Sequence, residues 1–411
     1  MRSKKIASLA TAAALMLGMT ACAPGADGGD SGSSTVTWWV PNWNEKVADT
    51  MIAKFKKERP DITVEKVITT WDTMGGKIKV ALDSGTGPDL IDELTSRISR
   101  YSSKDQLLDI TDWFDSSMPV DDFYQSAIAA SSWNDKIYAV PYRWDAGAMV
   151  YNKDIFAEAG ITTPPTTTAE LEAAAKAIKT TGINAFGWPL GNDNNAAVRW
   201  LNEYYTQSGD FKVGSDGAVT IDAAASQRAL QNLGEGFSDG YATPSSFESD
   251  NTGLQNLLIN KQIAFYYDGA YAVDPIKKAG INIGTAMWPG PDGPATVSAD
   301  GFSFMVPKKA KNIDAVKALT QFLAQPENQV ELTLTFPGRL SASENEKFAS
   351  PLLAPFLEQQ TDYAKSMPTF LGWDSLVPTI YSAVQSVGLG DKSAKEANSA
   401  IVEQAAQLRN N

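Results

Sequence analysis

Residues 36–68, VTWWVPNWNEKVADTMIAKFKKERPDITVEKVI, decide the fold class. The run 36–40 is rich in β-branched and aromatic residues, which is typical of a buried strand. Apolar residues then recur at helical spacing, at Val47, Met51, Ile52 and Phe55. Pro60 predicts that this helix ends near Glu58, and the alternating run 62–68 predicts a second strand. A strand, a helix and a strand in succession indicate a parallel pair covered by a helix.

The same order continues towards the C-terminus. A second helix is predicted around residues 74–84, ending at Gly85, and Pro88 opens a third strand. Thr167 with Glu170 is typical of a capping box at the start of a later helix. The sequence therefore predicts an α/β protein with a parallel sheet wrapped by helices.

The N-terminus predicts an export signal. Residues 1–21 begin with cationic Arg2, Lys4 and Lys5, and a run of about fourteen mostly apolar residues follows. A helix needs roughly 20 apolar residues to cross a bilayer, so this run fits a signal peptide better than a membrane span.

Cys22 is the only cysteine of the chain. The ending Met19-Thr20-Ala21-Cys22 resembles the bacterial lipobox, with methionine where leucine is more usual, and implies that Cys22 carries a lipid. The alternative is ordinary secretion with cleavage near Ala21 and an incidental thiol. Residues 22–34 are rich in Gly, Ser and Asp, and they predict a flexible tether between the lipid and the folded body.

Composition excludes several functions. Removal of residues 1–21 leaves 32 Lys and Arg against 48 Asp and Glu, a net charge of −16, so nucleic acid is an unfavourable partner. The chain has no histidine, which excludes Ser-His-Asp and Cys-His catalysis and the zinc sites that need these residues. We therefore expect no catalytic residue, no metal and no cofactor. The 390 remaining residues favour two domains.

Five segments together resemble one protein family. They are SGTGPDLI (84–91), IYAVPYRWDAGAMVYNKDIFAEAGI (137–161), LINKQIAFYYDGAY (258–271), VPKKAKNIDAVKALTQFLAQPENQ (306–329) and SAKEANSAIVE (393–403). Their order is similar to that of the large extracellular solute-binding proteins of ABC importers, the group that contains the maltose-binding protein. The resemblance extends from about residue 35 to the C-terminus.

This resemblance implies a two-lobe periplasmic-binding-protein-like fold with three crossover segments and a ligand cleft between the lobes. The implied N-terminal lobe is 35–144 with 300–338, and the implied C-terminal lobe is 145–299 with 339–411. The implied function is that of a monomeric lipoprotein on the outer face of the cell membrane, in a Gram-positive bacterium. It would capture a neutral oligosaccharide and deliver it to the ABC permease subunits, without catalysis.

The chain departs from the family at two places. Tyr271 stands where the family usually has tryptophan, which affects one stacking surface. The segment 299–308, ADGFSFMVPK, has one glycine where relatives often have two or three, which leaves the crossover position open.

A sugar site needs flat aromatic surfaces for the C–H faces and planar polar groups for the hydroxyls. Ligands of open α/β sheets bind beyond the carboxyl ends of strands, so aromatic residues with polar neighbours in such loops are candidates. The candidate ligand-binding residues are Asn42, Trp43, Trp71, Asp72, Glu93, Arg143, Trp144, Asp145, Trp188, Tyr271, Trp288, Asp300, Arg339 and Trp373. Of these, Asp145, Tyr271 and Trp373 match or lie near family positions that contact ligand.

Two other functions stay open at this point. A cell-surface glycosidase needs only two carboxylates about 5–10 Å apart, which the missing histidine does not forbid. A binder of a phosphorylated polyol or a peptide would need cationic clamps, for which Arg143 and Arg339 are the candidates.

Overall fold

The structure, a computed structural model, describes residues 34–410, without the side chain of Asp72. The predicted signal peptide, the predicted lipidation site Cys22 and the predicted tether as far as residue 33 lie outside the described residues. Ser34, the last residue of the predicted tether, is the first residue of a strand.

The described residues alternate between strands and helices. The strands are β1 (Ser34–Pro41), β2 (Ile62–Thr69), β3 (Leu90–Leu94), β4 (Ser132–Trp133), β5 (Lys136–Ile137), β6 (Ala139–Ala146), β7 (Ala148–Asn152), β8 (Asn184–Phe186), β9 (Phe211–Val213), β10 (Val219–Ile221), β11 (Ile263–Asp268), β12 (Ile283–Ala286), β13 (Val297–Met305) and β14 (Ala364–Ser366). The helices are α1 (Glu45–Glu58), α2 (Trp71–Ser84), α3 (Ile98–Ser102), α4 (Gln125–Ala130), α5 (Lys153–Glu158), α6 (Thr168–Lys179), α7 (Asp193–Thr206), α8 (Ala223–Ser238), α9 (Asn251–Ile259), α10 (Val273–Lys278), α11 (Ile313–Leu323), α12 (Pro326–Leu332), α13 (Leu340–Ser343), α14 (Ala354–Asp362), α15 (Trp373–Gly388) and α16 (Ala394–Gln407).

The sheet of the first lobe confirms the predicted parallel arrangement. Strand β1 lies between β2 and β3 and is parallel to both. Within the described residues the sheet order is β14-β13-β3-β1-β2, and β6 also pairs with β13. Strands β6 and β13 are antiparallel to each other and span both lobes, with β6 leading from the first lobe to the second and β13 leading back. The long strands β6 and β13 therefore carry the chain between the lobes.

The predicted C-terminal end of the first helix is confirmed, and the next helix begins earlier than expected. Helix α1 ends at Glu58, two residues before Pro60. Helix α2 begins at Trp71 instead of near residue 74, and Gly85 caps it in the left-handed conformation, with φ 66°. The start of α2 brings Trp71 to the edge of the lobe.

The predicted capping box at Thr167 forms only in part. The Thr167 side chain accepts a hydrogen bond from the Glu170 backbone N–H. The Glu170 carboxylate, however, accepts from the backbone N–H and the hydroxyl of Thr166, one residue before the expected partner. A complete capping box forms instead at Ser393 and Glu396, at the start of α16.

Along the chain, the buried residues pass from the core of one lobe to the core of the other at three places. Buried residues of the first-lobe core lie within 36–142 and 302–332. Those of the second lobe lie mainly within 144–299 and 336–408, on both sides of the smaller sheet β12-β7-β11-β8. Helix α4 contributes to both cores. The described residues thus form two packed lobes that meet along β6 and β13.

None of the helices in residues 34–410 combines the length and the apolar character that crossing a membrane requires. Nor does this part of the chain contain a group of three or more carboxylate, His or Cys side chains placed to hold a metal ion.

Candidate ligand-binding site

A cavity of about 340 Å³ lies between the two lobes. Its lining comes from the loops that follow β2, β3, β8 and β11, from the crossover strands β6 and β13, and from the start of α15. This volume is at the lower end of the roughly 300–1,000 Å³ that small-molecule sites occupy. The position agrees with the rule that ligands of open α/β sheets bind beyond strand ends.

The first-lobe wall presents one large aromatic surface. Trp71 is the first residue of α2, and its large apolar side chain is 51% exposed. Behind it lies Trp43, with ring centroids 6.0 Å apart, and Trp43 packs edge-on against Phe302 at 5.4 Å. The Trp71 ring is therefore supported from behind and is free to contact a ligand.

Two arginines complete the first-lobe wall. The Glu93 carboxylate is fully buried behind Arg97 and accepts hydrogen bonds from Arg97 Nη1 at 3.2 Å and from the Tyr101 hydroxyl at 3.3 Å. Arg100 forms an ion pair across the cavity with Asp374, which lies in the first turn of α15 in the second lobe. Each of these two cations thus has a carboxylate partner.

The crossover strands form the floor of the cavity. Arg143 and Asp145 form an ion pair on β6, and the Arg143 guanidinium lies 5.7 Å from the ring centroid of Phe302 and 5.9 Å from that of Tyr271. Gly301 on β13 is needed for the close approach of the two strands, because a Cβ there would lie 1.8 Å from the Arg143 carbonyl oxygen. Arg143 therefore contacts aromatic rings from both sides of the floor.

Asp300 ties the floor to the first lobe. Its carboxylate accepts from the Ser96 hydroxyl at 2.6 Å, the Ser96 N–H at 3.1 Å and the Gly301 N–H at 2.8 Å. Burial raises the pKa of Asp300 to about 6, and the Ser96 and Gly301 donors limit the rise. The carboxylate is ionised at neutral pH and can accept a further hydrogen bond from a ligand.

The second-lobe wall is richer in aromatic and amide groups. Tyr271 is 42% exposed, and Trp373 is half-buried and packs edge-on against Phe370 at 6.3 Å. The Tyr267 hydroxyl accepts a hydrogen bond from the Gly147 N–H at 3.0 Å. The amides of this wall are Asn194, Asn195 and Asn251, at the starts of α7 and α9.

These walls can bind a polar ligand that has apolar faces. Aromatic faces from opposite lobes can cover its C–H surfaces, and carboxylate, guanidinium and amide groups can pair with its hydroxyls.

The sequence profile described as bacterial extracellular solute-binding protein matches residues 39–330, more than half of the chain. This protein belongs to that family. The match confirms the resemblance that the five sequence segments predicted.

Individual relatives of this solute-binding protein match over most of their length. A maltooligosaccharide ABC transporter solute-binding lipoprotein of Streptococcus pneumoniae is 27% identical, over 97% of this chain and 95% of the relative. The galactooligosaccharide-binding protein of Bacillus subtilis is 24% identical, over 96% and 95%. The GacH receptor of Streptomyces glaucescens, solved unliganded and with acarbose, matches with a TM-score of 0.78 at 24% identity, over 90% of this chain and 97% of that one. These matches confirm the predicted two-lobe fold.

The structure brings six of the predicted site residues of this solute-binding protein into the cavity wall. They are Trp71, Arg143, Asp145, Tyr271, Asp300 and Trp373. Trp43 and Glu93 lie one layer behind, where they support Trp71 and Arg97. Asn42 is exposed outside the cavity lining, and the side chain of Asp72 lies outside those that the structure describes.

Trp144 differs from the prediction, because it is fully buried in the second-lobe core. Successive side chains of a strand point to opposite faces. On β6, Arg143 and Asp145 line the cavity, so Trp144 between them faces away from it. The alternation that makes its neighbours site residues excludes Trp144 from the cavity wall.

Two further tryptophans also lie in the core instead of the cavity wall. Trp188 and Trp288 are 5% and 1% exposed and pack edge-on with ring centroids 5.6 Å apart. Both rings lie against the buried guanidinium of Arg199, at 4.4 and 5.0 Å from their centroids. Both rings therefore contact a buried side chain of the protein and not the cavity.

Arg339 is likewise not part of the cavity wall. It is 5% exposed, forms an ion pair with Asp122 and donates to the Ala324 carbonyl at 3.1 Å. Its backbone N–H donates to Gln329 Oε1 at 3.0 Å. Arg339 therefore fixes the segment that follows α12 and is not available to a ligand.

Sequence reasoning missed several residues of the cavity wall. They are Ser96, Arg97, Arg100, Asn194, Asn195, Asn251, Tyr267, Asp268 and Phe370. An aromatic residue with a polar neighbour is a criterion that polar clusters such as residues 192–195, at the start of α7, do not meet. Serine, arginine and asparagine that follow a strand were the available signal.

Proposed function

We propose that this protein captures a neutral oligosaccharide in the cavity between its lobes and delivers it to the permease subunits of an ABC importer. The observation that carries the proposal is the pair of half-exposed aromatic rings on opposite walls, Trp71 in the first lobe and Tyr271 in the second. A ligand that contacts both rings stabilises the closed form by its differential affinity for that form. The names of the Streptococcus pneumoniae and Bacillus subtilis relatives support an oligosaccharide as the ligand.

The charges of the cavity favour a neutral ligand over an anionic one. Arg97 pairs with Glu93, Arg100 with Asp374 and Arg143 with Asp145. A phosphate or carboxylate ligand would have to compete with these carboxylates for the guanidinium groups, while a hydroxyl can share them. The phosphorylated polyol and the peptide are disfavoured for this reason.

Calorimetry with purified protein lacking residues 1–21 tests the ligand class. The panel contains gluco-, galacto-, xylo-, arabino- and manno-oligosaccharides, with oligogalacturonate and glycerol 3-phosphate as anionic probes. We expect at least one neutral oligosaccharide to bind in the micromolar range, which corresponds to about −8 kcal/mol. Binding of an anionic probe alone, or a Kd weaker than roughly 1 mM for every neutral sugar, would contradict the proposal.

Chromatography of the bound sugar after long incubation distinguishes a receptor from a glycosidase. We expect the sugar to be recovered intact, since the family consists of solute-binding proteins. Shortened products would instead support the glycosidase.

The lipid anchor at Cys22 and the location on the outer face of the membrane are part of the same proposal. The lipobox-like ending at Cys22 and the word lipoprotein in the name of the Streptococcus pneumoniae relative support it. Labelling of cells with a palmitate analogue should mark the full-length chain and not the Cys22→Ser variant. A Cys22→Ser variant that still takes up the label would overturn the anchor.

The lobe boundaries near residues 144, 299 and 338, and the monomeric state, are proposals as well. The division of the two cores supports the boundaries. Light scattering coupled to size exclusion should give the mass of one chain.

A further inference from the structure

The hydroxyl of Tyr271 makes two hydrogen bonds within the protein. It donates to Asp268 Oδ1 at 2.5 Å and accepts from Asn251 Nδ2 at 3.0 Å. A phenol has one donor and few acceptor positions, so this hydroxyl has little left for a ligand. The part of Tyr271 that faces the cavity is therefore its ring.

Asp268 is itself fixed by the fold. It is the last residue of β11, is 1% exposed and pairs across the sheet with Ala148. Its Oδ1 also accepts from the Gly269 N–H at 2.8 Å and from Asn251 Nδ2 at 2.7 Å. Hydrogen bonds to an ionised carboxylate are shorter and stronger than those between neutral groups. The carboxylate is thus a rigid anchor for the hydroxyl.

Gly269 leaves the space that the Tyr271 ring occupies. A Cβ at residue 269 would lie 2.4 Å from Tyr271 Cε1 and 2.8 Å from Cδ1. The backbone of Gly269 has φ −80° and ψ 163°, which any residue can adopt. The glycine is therefore required by the ring that lies against it and not by the backbone conformation.

We propose that Asn251, Asp268 and Gly269 form a clamp that fixes the ring of Tyr271 as a ligand-stacking surface, with Asp268 as the positioning residue. The Tyr271 clamp deepens the proposed function and rests on it for the role of the ring in ligand binding.

The first test needs no ligand. Tetranitromethane nitrates the phenolate form of tyrosine, and burial together with the charge of Asp268 holds the pKa of Tyr271 well above its usual value. In Asp268→Asn the charge is gone, so nitration of Tyr271 should rise relative to that of Tyr138, by roughly tenfold for each unit by which the pKa falls. Peptide mass spectrometry gives both rates from one sample. An unchanged ratio would overturn the clamp.

The second test measures affinity with maltotriose as the probe. Gly269→Ala should displace the ring and weaken binding by roughly tenfold, as should Tyr271→Ala, because each removes one stacking surface. Asp268→Asn should weaken binding in the wild-type background and have little further effect in Tyr271→Phe, which lacks the hydroxyl. An equal loss in both backgrounds would show that Asp268 does not act through Tyr271.

The two tests separate the two proposals. If no neutral sugar binds but Asp268→Asn raises the nitration of Tyr271, the proposed function fails, while the hold of Asp268 on the Tyr271 hydroxyl is supported. Circular dichroism and the melting temperature of each variant confirm that it is folded. Asp268→Asn preserves the shape of the side chain, and Gly269→Ala leaves Asp268 in place. The two variants therefore affect the Tyr271 ring through different contacts.

Discussion

The two lobes differ in the groups that support their walls of the cavity. The first-lobe wall is cationic, with Arg97 and Arg100, and a buried carboxyl group, Asp92, lies in the core of that lobe. The second-lobe wall is rich in aromatic and amide groups, and a buried cation, Arg199, lies behind it. The buried group of the first lobe is a neutral acid, because burial raises the pKa of Asp92 to about 8, whereas the buried group of the second lobe is one partner of the Arg199–Glu203 ion pair. The difference teaches that the aromatic wall depends on a buried ion pair and the cationic wall on carboxylate partners.

The largest expected effect comes from the buried cation of the second lobe. Arg199 pairs with Glu203 and lies against the rings of Trp188, Trp288 and Tyr267. Arg199→Ala leaves the carboxylate of Glu203 buried without its cation, which should lower the free energy of unfolding by about 3–5 kcal/mol. Urea denaturation measures the loss.

A matched control for Arg199 removes both charges. The double variant with Arg199→Met and Glu203→Gln keeps the volume and should retain most of the stability, since no charge is left unpaired. If Arg199→Ala has the same urea midpoint of unfolding as the wild type, the second-lobe wall does not depend on this ion pair. The proposed difference between the two lobes would then be wrong.

The buried carboxyl of the first lobe should make stability depend on pH. Burial raises the pKa of Asp92 to about 8, and hydrogen bonds from Trp38 Nε1 and the Tyr142 hydroxyl limit the rise. Because the unfolded chain loses this proton near pH 4 and the folded chain near pH 8, stability falls as pH rises between these values. The slope from this group is up to about 1.4 kcal/mol per pH unit.

Asp92→Asn should flatten this slope, which urea denaturation at several pH values between about 5 and 8 would detect. Asp61→Asn is the control, because the pKa of Asp61 is lowered by its hydrogen bond with Arg59 and it therefore titrates below this range. A slope for Asp92→Asn equal to that of the wild type would show that Asp92 is not held as a neutral acid.

A smaller effect is expected from Trp71, the half-exposed aromatic ring of the first-lobe wall. Trp71→Ala should weaken oligosaccharide binding, because covering about 60–100 Å² of sugar face stabilises by roughly 1.5–2.5 kcal/mol. The control is Val80→Ala, which changes an apolar residue of the same helix that is 67% exposed and outside the cavity. Calorimetry that gives equal affinities for both variants would remove Trp71 from the site.

The smallest effect is expected from the ion pair that joins the two walls. The side chains of Arg100 and Asp374 are 29% and 60% exposed, so solvent screens their attraction and the pair is worth at most about 1 kcal/mol. Asp374→Asn should weaken binding by a few fold at low salt and have no effect at high salt. The exchanged pair, Arg100→Asp with Asp374→Arg, should recover part of the lost affinity. A loss of affinity that persists at high salt would show that Asp374 does not act through its ion pair with Arg100.

Much of the fold could be predicted because periodicity reports local structure. The alternating run 62–68 became β2, and Pro60 ended α1 at Glu58 as predicted. The start of α2 was less predictable, although its end at Gly85 was predicted. Trp71 begins this helix at the edge of the lobe, where its ring is exposed, and no local pattern indicates that.

The candidate site was predicted in part, for a similar reason. Arg143 and Asp145 line the cavity and Trp144 does not, although all three belong to one segment with a strong family resemblance. A sequence shows that these side chains alternate, but which face of β6 meets the cavity depends on the core packed against it. Trp188 and Trp288 could not be separated from cavity residues, since their partner Arg199 is distant from Trp288 in sequence.

The sequence by itself determined the α/β class, the family and the order of strands and helices, because these follow from hydrophobic spacing and from motifs that adjacent residues form. Only the tertiary structure decided which aromatic rings face the cavity, which arginines are paired and how Tyr271 is held. Exposure and charge pairing are properties of neighbours in space, and Arg100 and Asp374 lie in different lobes and 274 positions apart in the chain.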